Sequence, residues 1–474
     1  MTKTTDHSRT LVLPLSSRQE WCWEWDRCYD GPYPSAVSLD CSTALRLLGP
    51  LDTGALRDAF AEVTLHHDAL RLRLDGDRDL IAGVVRPQQT LSETPLPLEE
   101  AELPDVPPAL LVDLSTRPFP VTERLGRADL LRAAPDHHIL LTSFHHLVFD
   151  AASHHVFLRD LAGAYNSRVP GGAGGAGGAG EADGTAPRPA FSYLDLVRAE
   201  NTPRSLEERA LRLTERARLL RAYGSGDLLP GRTPGPPALR HRYDEEPFEL
   251  SARRTGQLLH AARAARVSLY SLLAAAFATA LGRHFGRDRL ILSTPSHGRL
   301  RPEHHSAIGD FANMVQIPLD LSHGGGRGML RHAHEAVREA AAAVDLPYGR
   351  LAETVLGRSG TDGFFRYALA HAELRLHGVT GWALDPQGDD AFPMHGLRTD
   401  VLPMHQDFSR LTYATRQSSD AAAATLSLSL TMTPDGRLTG ALRHETTYHG
   451  PHTAHSVLNH LQEHLTALAT PSGA

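Results

Sequence analysis

Apolar positions recur at helical spacing near Ala55 to Thr64 and over about 205–222, 252–284 and 329–343, and each stretch is predicted as helix. Phe157, Leu161 and Tyr165 share one face of a further predicted helix from about Ser153 to Tyr165, with Ser153 as its candidate N-cap. Val457, Leu458, Leu461, Leu465 and Leu468 define a closing helix. Strand patterns lie between them: Ala69 to Leu74, the apolar run Ile139 to Phe144, and Leu290 to Thr294. From Thr425 to Met432 the alternation has period two. Pro434-Asp435-Gly436 then supplies a turn and Leu438 to His444 returns, the signature of a hairpin. Helices and strands mix in both halves, so the fold class is α/β or α+β with two lobes.

The pattern is interrupted by Pro170-Gly171-Gly172-Ala173 and the glycine- and alanine-rich repeats that follow, which can build neither a strand nor a helix core. The expected organisation is an N-terminal lobe over 1–169, a flexible linker over 170–189 and a C-terminal lobe over 190–474; a chain of 474 residues exceeds the usual single-domain size. No apolar run reaches the roughly 18 to 20 residues a membrane span needs. Met1 to Thr10 lacks a signal-peptide core, so the expected location is cytoplasmic. The formal charge of −7 is spread along the chain without a basic block, which argues against nucleic acid and anionic membranes as partners. Cys22, Cys28 and Cys41 do not have the spacing of a disulfide framework or a zinc site.

Candidate chemistry concentrates in His145-His146-Leu147-Val148-Phe149-Asp150-Ala151, directly after the strand-like run. An imidazole takes and returns a proton near neutral pH, and a nearby carboxylate can hold a loop in place. His146, Asp150 and His154 would share a face on a continuous helix and form a recognised ligand set. The strand-to-loop context before Ser153 breaks such a helix, and no metal is expected.

Seven short elements in order, this one included, resemble the condensation domains of nonribosomal peptide synthetases. Ser16-Ser17-Arg18-Gln19 with Trp21 and Trp23 is similar to the family's S-x-x-Q-x-x-x-W opening, and Leu65 to Arg71 to its R-H-E-x-L-R element, with Leu65 and Asp68 departing. Tyr193-Leu194-Asp195-Leu196 resembles Y-x-D-Y, and Ile308-Gly309-Asp310-Phe311-Ala312-Asn313 resembles I-G-x-F-V-N. Asp345-Leu346-Pro347-Tyr348 resembles D-x-P-F, and the Phe364-Phe365 region stands where the family shows P-L-F-Q.

The resemblance implies two chloramphenicol-acetyltransferase-like lobes in a V-shaped pseudo-dimer with a central tunnel. It implies an acyltransferase that joins an acyl or aminoacyl thioester to a small-molecule amine or alcohol, giving an amide or ester in antibiotic or other natural-product biosynthesis. The donor arrives on the 4'-phosphopantetheine of an acyl or peptidyl carrier protein, and the enzyme itself holds no cofactor. His146 is the implied catalytic residue. His145 and Asp150 are implied to structure the site, Asp150 by pairing with Arg299 of Ser296-His297-Gly298-Arg299. Asn313, His297 and Ser153 are candidate tunnel or substrate-binding residues.

Ala151 stands where the family has glycine. A backbone with φ > 0 there would cost roughly 1 kcal/mol, and a right-handed one nothing. His145 argues against a cyclisation domain, which has aspartate at that position, and an epimerisation domain's acidic residue is missing beside His297-Gly298-Arg299. The expectation is a free-standing condensation enzyme. The alternatives are a noncatalytic domain that recruits a carrier protein or another enzyme, and a coenzyme A-dependent acyltransferase.

Overall fold

The computed structural model describes residues 11–26, 41–75, 87–172, 189–224, 243–323, 326–356, 370–377, 392–402, 426–446 and 449–469. The glycine- and alanine-rich segment over 173–188 and the Phe364-Phe365 element lie outside the described residues.

The described residues form three sheets. In the first, β1 (Val12–Pro14) and β3 (Leu72–Asp75) flank β4 (Gln88–Leu91). The second has the order β12-β2-β7-β6-β5, from β12 (Arg398–Leu402), β2 (Ser42–Leu48), β7 (His137–Phe144), β6 (Gly126–Ala134) and β5 (Leu98–Glu102). The third runs β10-β9-β11-β13-β14-β8, from β10 (Asn313–Asp320), β9 (Arg289–Ser296), β11 (Ala372–His377), β13 (Leu426–Met432), β14 (Leu438–Glu445) and β8 (Tyr243–Leu250). β13 and β14 pair antiparallel, as their alternating pattern predicts.

Helices of the earlier half are α1 (Ser17–Asp26), α2 (Thr53–His66), α3 (Pro108–Ser115), α4 (Ala151–Asn166), α5 (Tyr193–Glu200) and α6 (Pro203–Arg221). Those of the later half are α7 (Ala252–Ala265), α8 (Leu269–Phe285), α9 (Arg327–Ala342), α10 (Tyr348–Leu356) and α11 (Pro451–Ala469).

Three local readings change. Ser153 is not the N-cap of α4; Asp150 is, accepting from the Ser153 N–H at 2.9 Å, while Ser153 faces back in a reciprocal capping box. A carboxylate is the better acceptor for the unpaired N–H groups of a helix start. The predicted helix over 252–284 divides into α7 and α8, because Arg266 adopts the left-handed region (φ 58°) and Ser268 caps a new helix at a bend of 102°. The strand predicted from Ala69 begins only at Leu72, after a 3₁₀ turn in which Asp68 pairs with Arg71 at 2.7 Å.

One core packs the β2–β7 sheet against α2 and α4 around Phe60, Phe144, Phe149 and Phe157. A second surrounds α8, whose Leu272 to Ala278 are all buried against the six-stranded sheet, α9 and α11. No single described helix is long and apolar enough to cross a membrane. Segments beyond α4 also reach into the first core: β12 pairs antiparallel with β2, and Tyr193, Leu194, Ile308 and Phe311 pack with the residues around α4.

Candidate active site

The HHLVFDA segment begins where β7 leaves its sheet, with the His145 N–H donating to the Leu125 carbonyl at 2.8 Å. A tight turn follows: Val148 N–H donates to the His145 carbonyl at 3.0 Å, and Leu147 N–H to His145 Nδ1 at 3.1 Å. Gln19 of α1 donates to the Leu147 carbonyl at 2.9 Å, and the Cys41 thiol to the Phe149 carbonyl at 3.2 Å. Leu147, Val148 and Phe149 are buried, with Phe149 stacked on Phe144 at 4.3 Å. The two histidines therefore differ: His145 is spent on the turn, whereas the His146 side chain keeps 15% of its surface exposed.

Asp150 is almost wholly buried and pairs with Arg299 from the segment after β9. Its Oδ2 also accepts from the Phe311 N–H at 3.1 Å. Arg299 donates to Ser153 Oγ and to the Ala307 carbonyl, each at 3.1 Å, and Ser153 Oγ meets Gly309 N and O at 3.2 and 3.1 Å. Burial alone would raise the Asp150 carboxyl's pKa; the Arg299 charge and the hydrogen bonds from Arg299, Ser153 and Phe311 outweigh it and hold the pKa below its ordinary value. Two glycines make the close approach possible: a Cβ on Gly298 (φ +64°) would lie 1.7 Å from the Phe311 carbonyl oxygen, and one on Gly309 2.2 Å from the Tyr193 ring.

The clamped loop carries Asp310 to His146. Asp310 Oδ1 lies 3.4 Å from His146 Nδ1, and Cys22 of α1 donates its S–H to Asp310 Oδ2 at 3.2 Å, with its sulfur 3.8 Å from the same nitrogen. Burial lowers the imidazole's pKa, but the Asp310 carboxylate, followed by Cys22, raises it well above the ordinary histidine value. With Nδ1 turned to Asp310, Nε2 on the far side of the ring is the nitrogen available to a substrate. The three ligand atoms lie within 4.8 Å of one another, so by donor type this set could hold a divalent cation. The set His146, Asp150 and His154 is not gathered: Asp150 faces Arg299, and His154 Nδ1 contacts Thr43 Oγ1 at 2.6 Å.

Ala151 opens α4 with its methyl exposed, and Arg266 is the sole non-glycine residue with positive φ among the described residues, so Ala151 carries no left-handed strain. Asn313 uses both amide hydrogens on the Val344 and Leu346 carbonyls at 2.7 Å and accepts from Tyr348 N–H at 3.3 Å, which clamps the segment before α10. His297 Nδ1 accepts from the Arg299 N–H at 3.0 Å, and burial holds its pKa below the ordinary value.

Sequence reasoning missed Cys22 and Asp310. Both stood inside the motif elements already quoted, Asp310 at the variable position of I-G-x-F-V-N and Cys22 between the two tryptophans. An acidic residue at a variable motif position was the available signal.

Fold and site together set one partly open histidine beside a buried carboxylate. The chain belongs to the condensation-domain family, whose model matches residues 12–173 and 219–472. Phosphinothricin tripeptide synthetase PhsC of Streptomyces viridochromogenes is 30% identical over 356 residues, 72% of this chain and 31% of the relative. Chondramide synthase of Chondromyces crocatus is 30% identical over 363 residues, 72% of this chain and 8% of the relative. The chain thus spans a minor part of these relatives. Among solved structures, the X-domain from teicoplanin biosynthesis superposes with TM-score 0.72 at 24% identity, covering 100% of this chain and 97% of that one. SgcC5 from Streptomyces globisporus gives TM-score 0.63 at 23% identity, covering 97% of this chain and 99% of that one. The chloramphenicol-acetyltransferase-like two-lobed fold implied by the motifs is the fold observed.

Proposed function

We propose that this chain transfers an acyl or aminoacyl group from the phosphopantetheine thioester of a carrier protein to the amine or hydroxyl of a small acceptor, in natural-product biosynthesis. The observation that carries this reading is the partly exposed His146 imidazole beside a buried carboxylate, where the turn after β7 meets the loop before β10. The raised pKa leaves His146 protonated at low and neutral pH, so the base is the neutral ring that forms as pH rises through that pKa. It accepts the acceptor's proton through Nε2 as the nucleophile adds to the thioester carbonyl, and returns it to the departing pantetheine thiolate as the tetrahedral intermediate collapses. The thioester C–S bond breaks, a C–N or C–O bond forms, and the proton ends on the thiol. The acyl group comes on the carrier's arm, so this chain needs no cofactor of its own. The two lobes, divided near residues 170–189, bring donor and acceptor to His146 from a tunnel between them.

The test supplies carrier proteins loaded with acyl and aminoacyl groups, together with amine and alcohol acceptors, and detects product by mass spectrometry. His146→Ala is expected to lower turnover by about 10² to 10⁴-fold, the usual contribution of a positioned acid/base. Undiminished turnover in that variant refutes the assignment. Coenzyme A thioesters in place of loaded carrier separate the coenzyme A-dependent reading.

A second reading is a noncatalytic recruiting domain. It draws support from the full-length superposition on the X-domain from teicoplanin biosynthesis, a domain also solved in complex with OxyB. Carrier or enzyme binding without turnover across all acceptors would favour it.

A further inference from the structure

We propose that Asp310 is a positioning residue for His146: its carboxylate takes the Nδ1 hydrogen, presents unprotonated Nε2 to the acceptor, and matches the site to a hydroxyl-bearing acceptor. The acceptor part rests on the catalytic reading above; the positioning part does not.

Three observations converge on it. The Asp310 residue is 1% exposed, and its Oδ1, the oxygen facing His146, has no hydrogen-bond partner within the described structure. A buried carboxylate oxygen left so is costly, and an imidazole N–H at Nδ1, 3.4 Å away, is the donor placed to approach it. The loop is held at both ends of the residue: Tyr193 O–H donates to the Asp310 carbonyl at 3.0 Å, and Phe311 N–H to Asp150 at 3.1 Å. The charged and titratable groups acting on His146 are Asp310 and Cys22.

Cys22 completes the carboxylate instead of competing with it. A thiol beside a histidine is the arrangement of a cysteine nucleophile, but there the imidazole stands between thiol and carboxylate. Here sulfur and carboxylate lie on the same side of the ring, and the thiol donates directly to Asp310 at 3.2 Å.

A hydroxyl is a poor nucleophile until its proton begins to move, whereas a neutral amine already offers a lone pair. Raising the basicity of Nε2 through a carboxylate on Nδ1 therefore benefits an alcohol acceptor more. The orientation of His146 links back to the motif: the Asp150–Arg299 pair holds the loop, the loop holds Asp310, and Asp310 holds the imidazole.

The test is long-range ¹H–¹⁵N NMR of the ¹⁵N-histidine-labelled full chain, with the His146 signal identified by its loss in His146→Gln. The expected result, read above the ring's titration midpoint, is the Nδ1–H tautomer in the wild type, with loss of that preference and a lower titration midpoint in Asp310→Asn. An Nε2–H tautomer in the wild type, readable without any variant, overturns the proposal, as does an unchanged His146 in a folded Asp310→Asn. In turnover with loaded carrier protein, Asp310→Asn is expected to lower kcat by about 10²-fold with an alcohol acceptor and less with the matching amine. Equal losses overturn the acceptor assignment. An acyl group found on Cys22, or one zinc per wild-type chain lost in Cys22→Ser, overturns the proposal. The expected tautomer with no turnover on any acceptor sustains the positioning and defeats the catalytic reading.

Discussion

Asp150 serves three structures at once: it caps α4, pairs with Arg299 and receives the Phe311 N–H. Removing its partner strands a charge in a site almost closed to water. Arg299→Ala is expected to cost about 3–5 kcal/mol, the range for breaking a buried pair from one side. Asp150→Asn with Arg299→Gln removes both charges and should cost less than the two single variants together, because neither charge is then left unpaired. Urea unfolding of the four proteins in the cycle measures the coupling, and additive losses would show that the pair is not a unit. The site should be affected as well. Losing the clamp loosens Asp310, so a folded Arg299 variant should lose turnover while keeping His146.

Among the elements, α7 and α8 meet at a bend made by one strained residue. Arg266 closes α7 in the left-handed region, where a side chain costs roughly 1–2 kcal/mol and glycine nearly nothing. Gly286 does the same at the end of α8 without that cost. Arg266→Gly is therefore expected to stabilise the protein by roughly 0.5–1 kcal/mol after glycine's greater unfolded-chain entropy is set against the relief, read as a higher urea midpoint with activity unchanged. The helical period of 252–284 was plain in the sequence, while the bend was not, since no glycine or proline marks it. The same distinction holds elsewhere. Helices α2, α4, α6, α9 and α11 and the β13–β14 hairpin declared themselves through local periodicity. β12 could not, because its place beside β2 is fixed by pairing across 350 to 358 residues of chain. His146, Asp150 and Arg299 were legible through motifs, but the meeting of His146 with Cys22 and Asp310 comes from three separate segments and no local pattern encodes it.

At the scale of the whole molecule, α1 ties the turn after β7 to α5 and α10. Its Gln19 and Cys22 reach the His145–Asp150 turn and Asp310, Arg18 pairs with Glu200 of α5 at 2.7 Å, and Trp21 meets Tyr348 of α10 edge-on at 5.9 Å. Glu20 adds a pair with Arg350 of α10 at 2.8 Å, in a setting where burial dominates: desolvation raises its carboxyl, Arg350 opposes this, Glu353 and Glu200 add to it, and the pKa stands at about 7. The sign follows from proton binding. Between the ordinary carboxylate value of 4.5 and about 7 the folded chain holds a proton on Glu20 that the unfolded chain has released, so stability falls as pH rises through this window. Above pH 7 the penalty is fully present, at most about 3 kcal/mol. Glu20→Gln keeps the shape and removes the titration. Its thermal midpoint should match the wild type's near pH 4.5 and exceed it at pH 8, and parallel midpoints across that range would show that the α1–α10 contact carries no such penalty.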